Sequence, residues 1–357
     1  MADYAQRNAG ARKAVDALFE AIFNDLDEVR GGIGWWHGHL DPARVIFISD
    51  YFVSVVAQAA AELRAAAFHE ARFVDAWNRE QLWLRMQESK KVEHPFASRN
   101  SLDERREMEI STSVDGFFYA CGSALDKLAA TIIGVLAIRT DIVKASWNTI
   151  AKCATDLAEA NRRLEPRDNS ARHIQDDGIA AIWAASQTGP DDWLTWTLEY
   201  RHTLIHRAPR ILLRRILPRT PRQQLEYVIQ LPRHPQLTDA EALVLGRDSP
   251  DLWLQEHAIV TVKGVLDRLG VLVDTAATAL LGAWNTRRGN PSLLKVPGTQ
   301  WKNLYSEQRD LSRFAGFTDP LPDISEMMIN PRDGRRLRAA QVFDVHRESW
   351  AQRLTDS

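Results

Sequence analysis

The sequence predicts an all-α fold: an antiparallel bundle of four to five helices with a small β-hairpin inserted, flanked by a helical N-terminal region and a loop-rich C-terminal tail. Apolar residues recurring at three- and four-residue intervals over most of residues 11–286 predict the helices. Glycine and proline gather at a few sites between those runs and set their ends. The stretch from Gln224 to Pro232 alternates apolar and polar residues and predicts a strand.

Val15, Leu18, Phe19, Ile22, Phe23 and Leu26 give residues 11–30 one apolar helical face, closed by Gly31-Gly32-Ile33-Gly34. Residues 43–68 and 70–88 read as two more helices, the second with Phe73, Trp77, Leu82, Trp83 and Met86. Residues 93–110, with His94-Pro95 and Ser98-Arg99-Asn100-Ser101, read as a linker. Ser111 to Asp115 then offers N-cap candidates. After it, Phe117, Cys121, Leu125, Leu128, Ile132 and Val135 recur with the spacing of a long core-facing helix.

Residues 141–163 and 173–186 follow as helices, separated by the break at Glu165-Pro166. Pro190-Asp191-Asp192 is a helix start, and the next helix runs from Trp193 to Arg207 before Pro209 ends it. The strand 224–232 has Ala242 to Leu245 as its candidate partner. Residues 251–285 close the bundle as one helix, burying Leu254, Ile259, Val262, Leu266, Leu269 and Val273. These readings divide the chain into 1–110, a bundle over 111–286 with its β insertion at about 222–247, and a loop-rich extension over 287–357.

At 357 residues the chain can bury a large core. Its 45 Lys and Arg against 47 Asp and Glu leave a formal charge of −2, which excludes a global polyelectrolyte signature, so nucleic-acid binding must come from local clustering. Cys121 and Cys153 sit in apolar helical patterns and read as small buried hydrophobes rather than as a disulfide framework. The N-terminus lacks the apolar region of a signal peptide. The run Leu128–Ile138 is shorter than the about 20 residues that span a bilayer. A soluble, cytoplasmic protein with no membrane partner is expected.

One segment carries chemistry. Glu199-Tyr200-Arg201-His202-Thr203-Leu204-Ile205-His206-Arg207 places a guanidinium and two imidazoles within six residues at the end of a helix. It opens a run from Arg201 to Arg222 with seven arginines and no acidic residue. On an ideal helix Trp193, Trp196, Tyr200 and Leu204 form one apolar ridge, and Leu194, Leu198 and Ile205 a neighbouring one. His202 and His206 then lie one turn apart on the remaining face, with Arg201 roughly 140° around the helix from His206. Imidazoles move protons near neutral pH, and a fixed cation stabilises phosphorane charge, which are the needs of phosphodiester cleavage. Arg207, Arg210, Arg214 and Arg215 are the candidate phosphate contacts.

An arginine, a polar residue and a histidine a few positions later, in the third helix of a four- or five-helix bundle, resembles the HEPN superfamily of nucleotide-binding domains and RNases. The upstream segment Phe117 to Ala129 also looks like the first helix of such domains, and the resemblance covers roughly 111–286. It implies a metal-independent, cofactor-free endoribonuclease acting on RNA, a homodimer in which two motif helices face each other. In that scheme His206 moves a proton at the 2′-hydroxyl or the leaving 5′-oxygen, Arg201 binds the scissile phosphate, and His202 assists. A toxin or antiviral defence role, with an antitoxin or regulatory protein as partner, belongs to the same analogy. A non-catalytic interaction or nucleotide-binding module of the same fold is the alternative.

Spacing alone does not single the segment out, since Arg30/His37, Arg64/His69 and Arg167/His173 match the same interval. The blander reading of Arg201–His206 is a polar helix face at a subunit interface. His-x3-His is also ligand spacing, although neither a following Glu nor a third ligand supports a metal. The basic run reads equally as a solvated amphipathic connector or as an RNA phosphate track. Trp35-Trp36-His37-Gly38-His39 reads as packing at a turn before stacking on bases. Ser123 and Asp126 are further candidates to line the site and read equally as ordinary polar positions on a helix surface.

Overall fold

The computed structural model describes Tyr4, residues 6–25, 42–92, 100–207, 212–217, 227–236 and 252–289, and Phe314 and Gly316. Among the described residues the chain is mostly helical, with a small antiparallel hairpin. The helices are α1 (Ala9–Asp25), α2 (Pro42–Ser89), α3 (Ser101–Leu136), α4 (Trp147–Thr155), α5 (Leu157–Arg163), α6 (Ser170–Ser186), α7 (Trp193–His206) and α8 (Ala258–Gly289). Strands β1 (Leu213–Ile216) and β2 (Tyr227–Gln230) lie between α7 and α8. The Gly31–Gly34 break, the Trp35–His39 segment, the Arg30/His37 pair, residues 93–99 and the strand 242–245 lie outside the described residues, as does nearly all of 290–357.

Several boundaries differ from the periodicity reading. Residues 43–68 and 70–88 are one helix of 48 residues, because Ala65-Ala66-Ala67 leads through 69 with no glycine or proline to break it. On that helix Phe73, Trp77 and Trp83 are buried, whereas Leu82 and Met86 are exposed. The linker assigned to 93–110 is helical from Ser101. Asn100 is the reason. Its Oδ1 accepts from the Leu102 and Asp103 amides at 2.9 and 3.1 Å, and Asp103 Oδ2 accepts from the Asn100 amide at 3.1 Å. This reciprocal cap satisfies three donors at the helix start.

Replacing Asn100 with alanine is expected to lower stability by about 1 kcal/mol, read as a lower urea midpoint with an unchanged denaturant slope. The caps expected at 111–115 are mid-helix residues instead. Ser111, Thr112 and Ser113 turn their hydroxyls back onto the carbonyls of Glu107, Met108 and Glu109, the route open to such residues inside a helix. The region 141–163 is likewise not one helix. It holds a 3₁₀ turn at Ile142–Lys144, then α4 and α5, because Asp156 caps α5 through the Ala158 and Glu159 amides. The last helix starts at Ala258 rather than 251 and continues to Gly289, past the expected end at 285.

The hairpin also differs. Arg214 pairs with Ile229 and Ile216 with Tyr227, so the partner of β2 comes from the arginine run, upstream of the expected start at 222.

By contact, the chain divides into two compact units. The first comprises residues 1–13, 59–125 and 184–275. In it Arg106 pairs with Asp103 and Glu80 and lies over the Trp83 ring at 5.1 Å, while Gln81 donates to the Tyr227 carbonyl at 2.7 Å. The second comprises 14–58, 126–183 and 276–357. There α3 ends at Leu136, followed by Ala137 in the left-handed region at φ 52°. Its last carbonyls are met from other helices: Gln175 donates to Leu136 O at 2.8 Å, and buried Arg287 donates to Val135 O. Burial lowers Arg287 to about 10, against the opposing pull of Glu165.

The expected core positions of α3, from Phe117 to Val135, are at most 1% exposed. By length and composition α3 is the one described helix apolar enough to cross a membrane, yet 72% of its most apolar window is buried within the protein. Cys121 and Cys153 are buried and free, and burial pushes the Cys153 thiol up to about 11.

Candidate functional site

The Arg201–His206 segment belongs to the first unit, where aromatic packing sets the rotation of α7 about its axis. Phe118 of α3 stacks on Tyr200 with ring centroids 4.0 Å apart and meets Trp196 edge-on at 5.4 Å. Tyr119 donates its hydroxyl to the Leu204 carbonyl at 3.1 Å. Trp193 and Tyr200, from the first apolar ridge, are buried, as is Leu194 from the second. Ile205 is 41% exposed, so the second ridge does not stay buried to the end of the helix. Thr197 and Thr203 sit among the buried residues because their hydroxyls bond the Trp193 and Glu199 carbonyls one turn back.

With α7 rotated in this way, His202 and His206 are exposed and adjacent, with ring centroids 4.7 Å apart at 50°. Arg201 goes elsewhere. It is half-buried on α3 at Gly122, where an added Cβ would come 2.5 Å from Arg201 Cδ and 2.8 Å from Nε. The histidines are thus brought together, while Arg201 is bedded against a neighbouring helix. Arg207 follows as the exposed C-cap residue, its amide bonded to the Thr203 carbonyl at 2.9 Å.

The arginine track changes most. Arg214 on β1 pairs with Glu107 Oε1 of α3 at 3.1 Å and its side chain is 18% exposed. The run is acid-free along the chain but not in space. Arg215 is half-buried opposite Val228, and Arg210 lies outside the described residues. Ser123 and Asp126 on α3 are half-buried and engaged in contacts of their own.

Beneath α7, burial first and the Asp115 carboxylate second push the Tyr200 phenol far above its ordinary value. Burial also raises Asp115. His69, in the second spacing match, lies against α3 at Gly116, and burial, then Arg72, lowers its pKa. Its ring is part of the packing. Arg167 and His173, the third match, are exposed in a turn and on α6. Among the described residues no three His, Cys, Asp or Glu side chains group as metal ligands.

No family model, curated protein or solved structure matches this chain. The family resemblance therefore rests on the Arg201-His202-x3-His206 pattern in its helix and on the likeness of Phe117 to Ala129 to the first helix of such domains.

Gly122, Tyr119 and Glu107 are the residues that the sequence reading passed over. The signal for Gly122 was present, since a glycine inside a helix costs about 1 kcal/mol relative to alanine and implies a close approach. Nothing local in the sequence points to Glu107, which lies 107 positions from its partner Arg214.

Proposed function

We propose that this protein is a metal-independent endoribonuclease of the HEPN type, working as a homodimer through α7. The observation that carries the reading is the exposed His202–His206 pair, two imidazoles one turn apart with 4.7 Å between centroids. One imidazole takes the proton of a ribose 2′-hydroxyl as its oxygen attacks the adjacent phosphorus. The bond from phosphorus to the 5′-oxygen breaks, and that oxygen takes a proton from the second imidazole. The products are a 2′,3′-cyclic phosphate and a 5′-hydroxyl. Arg201 binds the phosphate and offsets its extra charge, and Arg207 and Arg215 supply further phosphate contacts. Because Arg201 and His206 leave α7 in different directions, a dimer lets the arginine of one protomer serve the histidine of the other. A toxin or antiviral role is the biological setting that fits such a nuclease, with an antitoxin or regulatory protein to restrain it.

The test is incubation of the purified protein with end-labelled RNA in excess EDTA. Cleavage that survives chelation and leaves 2′,3′-cyclic phosphate ends is the expected result. Cleavage lost on chelation overturns the metal-free reading. A non-catalytic module of the same fold is favoured by one observation: Arg201 and Arg214 are both held in packing or pairing contacts within the chain. Absence of cleavage on every RNA tried, together with tight binding of a partner, supports that module.

A further inference from the structure

The first unit contains a cleft toward the opposite end of α7 from the histidines. It is a cleft of about 970 Å³ whose walls include Trp193, Trp196 and Glu199 of α7 and Thr261, Gly264 and Arg268 of α8. This volume suits a drug-sized molecule. Three features of the lining define what such a molecule must be.

The tryptophans are spent as donors. The Trp193 indole N–H donates to the Ser186 carbonyl at 3.1 Å and that of Trp196 to the Pro232 carbonyl at 3.2 Å. The rings are left to offer faces and edges, which suit an apolar body or a cation. Glu199 is the reverse case. Its Oε2 is buried and, among the described residues, accepts no hydrogen bond. The half-buried Glu199 side chain lines the cleft and supplies a negative charge there for an ammonium or guanidinium to pair with. The charge balance agrees: Asp191, Asp192, Glu199 and Glu256 line the cleft against Arg233, Arg268 and His234.

Gly264 is the third feature. It lies within α8, yet a Cβ built on it meets no atom within 4 Å. Close packing of a neighbour does not account for it, although an interior glycine costs a helix about 1 kcal/mol relative to alanine. Its missing side chain keeps that wall of the cleft open.

We propose that the cleft binds an organic cation, a primary ammonium or guanidinium carried on an apolar or aromatic body. The N–H groups bond Glu199, and the body lies against Trp193 and Trp196. This site is separate from the histidine pair and does not depend on the nuclease reading.

The test is calorimetric titration of the full chain with three probes sharing one body: naphthylmethylammonium, naphthylmethanol and naphthoate. The ammonium is expected to saturate, binding about tenfold or more tighter than the alcohol, as a charge-assisted contact of this kind implies. Glu199→Gln should weaken it about tenfold, and Gly264→Leu, which projects into open space, should abolish it while the thermal midpoint is kept. His206→Ala should leave binding unchanged, so loss of nuclease activity and loss of this site are separable. Preference for naphthoate, no saturable binding of the ammonium, or binding unaffected by Gly264→Leu each overturns the proposal.

Discussion

Replacing His206 with alanine is expected to lower the rate of RNA cleavage by about 10²- to 10⁴-fold, the span for loss of one positioned proton-transfer group. Arg201→Ala should cost about 10²- to 10³-fold, as for removal of one donor to a developing oxyanion. The His206 change should leave the thermal midpoint nearly unmoved, since that residue is exposed, whereas Arg201→Ala should lower it through the lost packing on Gly122. Gly122→Ala separates the two roles of the arginine. The added methyl would lie 2.5 Å from Arg201 Cδ, so the side chain must swing off α3 while every catalytic atom stays in the protein. About a tenfold loss of cleavage is expected, with no greater loss of stability than in Arg201→Ala. Equal cleavage in wild type, Arg201→Ala and His206→Ala would refute the assignment of both residues. A mixture of the two inactive single variants that regains activity would place the arginine and histidine of each site on different protomers.

Trp284→Ala is expected to destabilise the second unit by about 3–5 kcal/mol, the usual cost of removing a large buried aromatic side chain. Trp284 is 1% exposed, and its ring centroid lies 6.2 Å from that of Phe52, which is fully buried. Phe52 has no room to follow into the space left behind without losing its seat at Gly134, where an added Cβ would meet the Phe52 ring at 2.2 Å. The cavity therefore stays largely open, and incomplete relaxation puts such sites toward the costly end of the range. Loss of helical circular dichroism with rising urea measures it. A midpoint within error of wild type would show that this packing is not what holds the unit together.

The helical character of the chain was legible because it is written in local spacing. Phe117, Cys121, Leu125, Leu128, Ile132 and Val135 recur at helical intervals, and all are buried. Boundaries were less legible, because they turn on single side chains. Asn100 starts α3 eleven residues before the serine- and threonine-rich segment that looked like its cap. Asp156 divides what looked like one helix. The strand partner of Tyr227–Gln230 was missed for another reason: Leu213–Ile216 reads as part of a basic run, and two arginines in four residues hide a strand.

Of the candidate site, residue spacing alone determined that His202 and His206 share one helical face, since a four-residue interval on an α-helix leaves no other choice. It also determined that Arg201 leaves that helix in a different direction. Where the arginines go is set by the elements that pack beside them. Gly122 receives Arg201, and Glu107 neutralises Arg214, across contacts between residues far apart in the chain. The same holds for the cleft beside Glu199 and Gly264. Periodicity fixes what each helix offers on each face, but the partner of a long, charged side chain is set by which helix the fold places beside it.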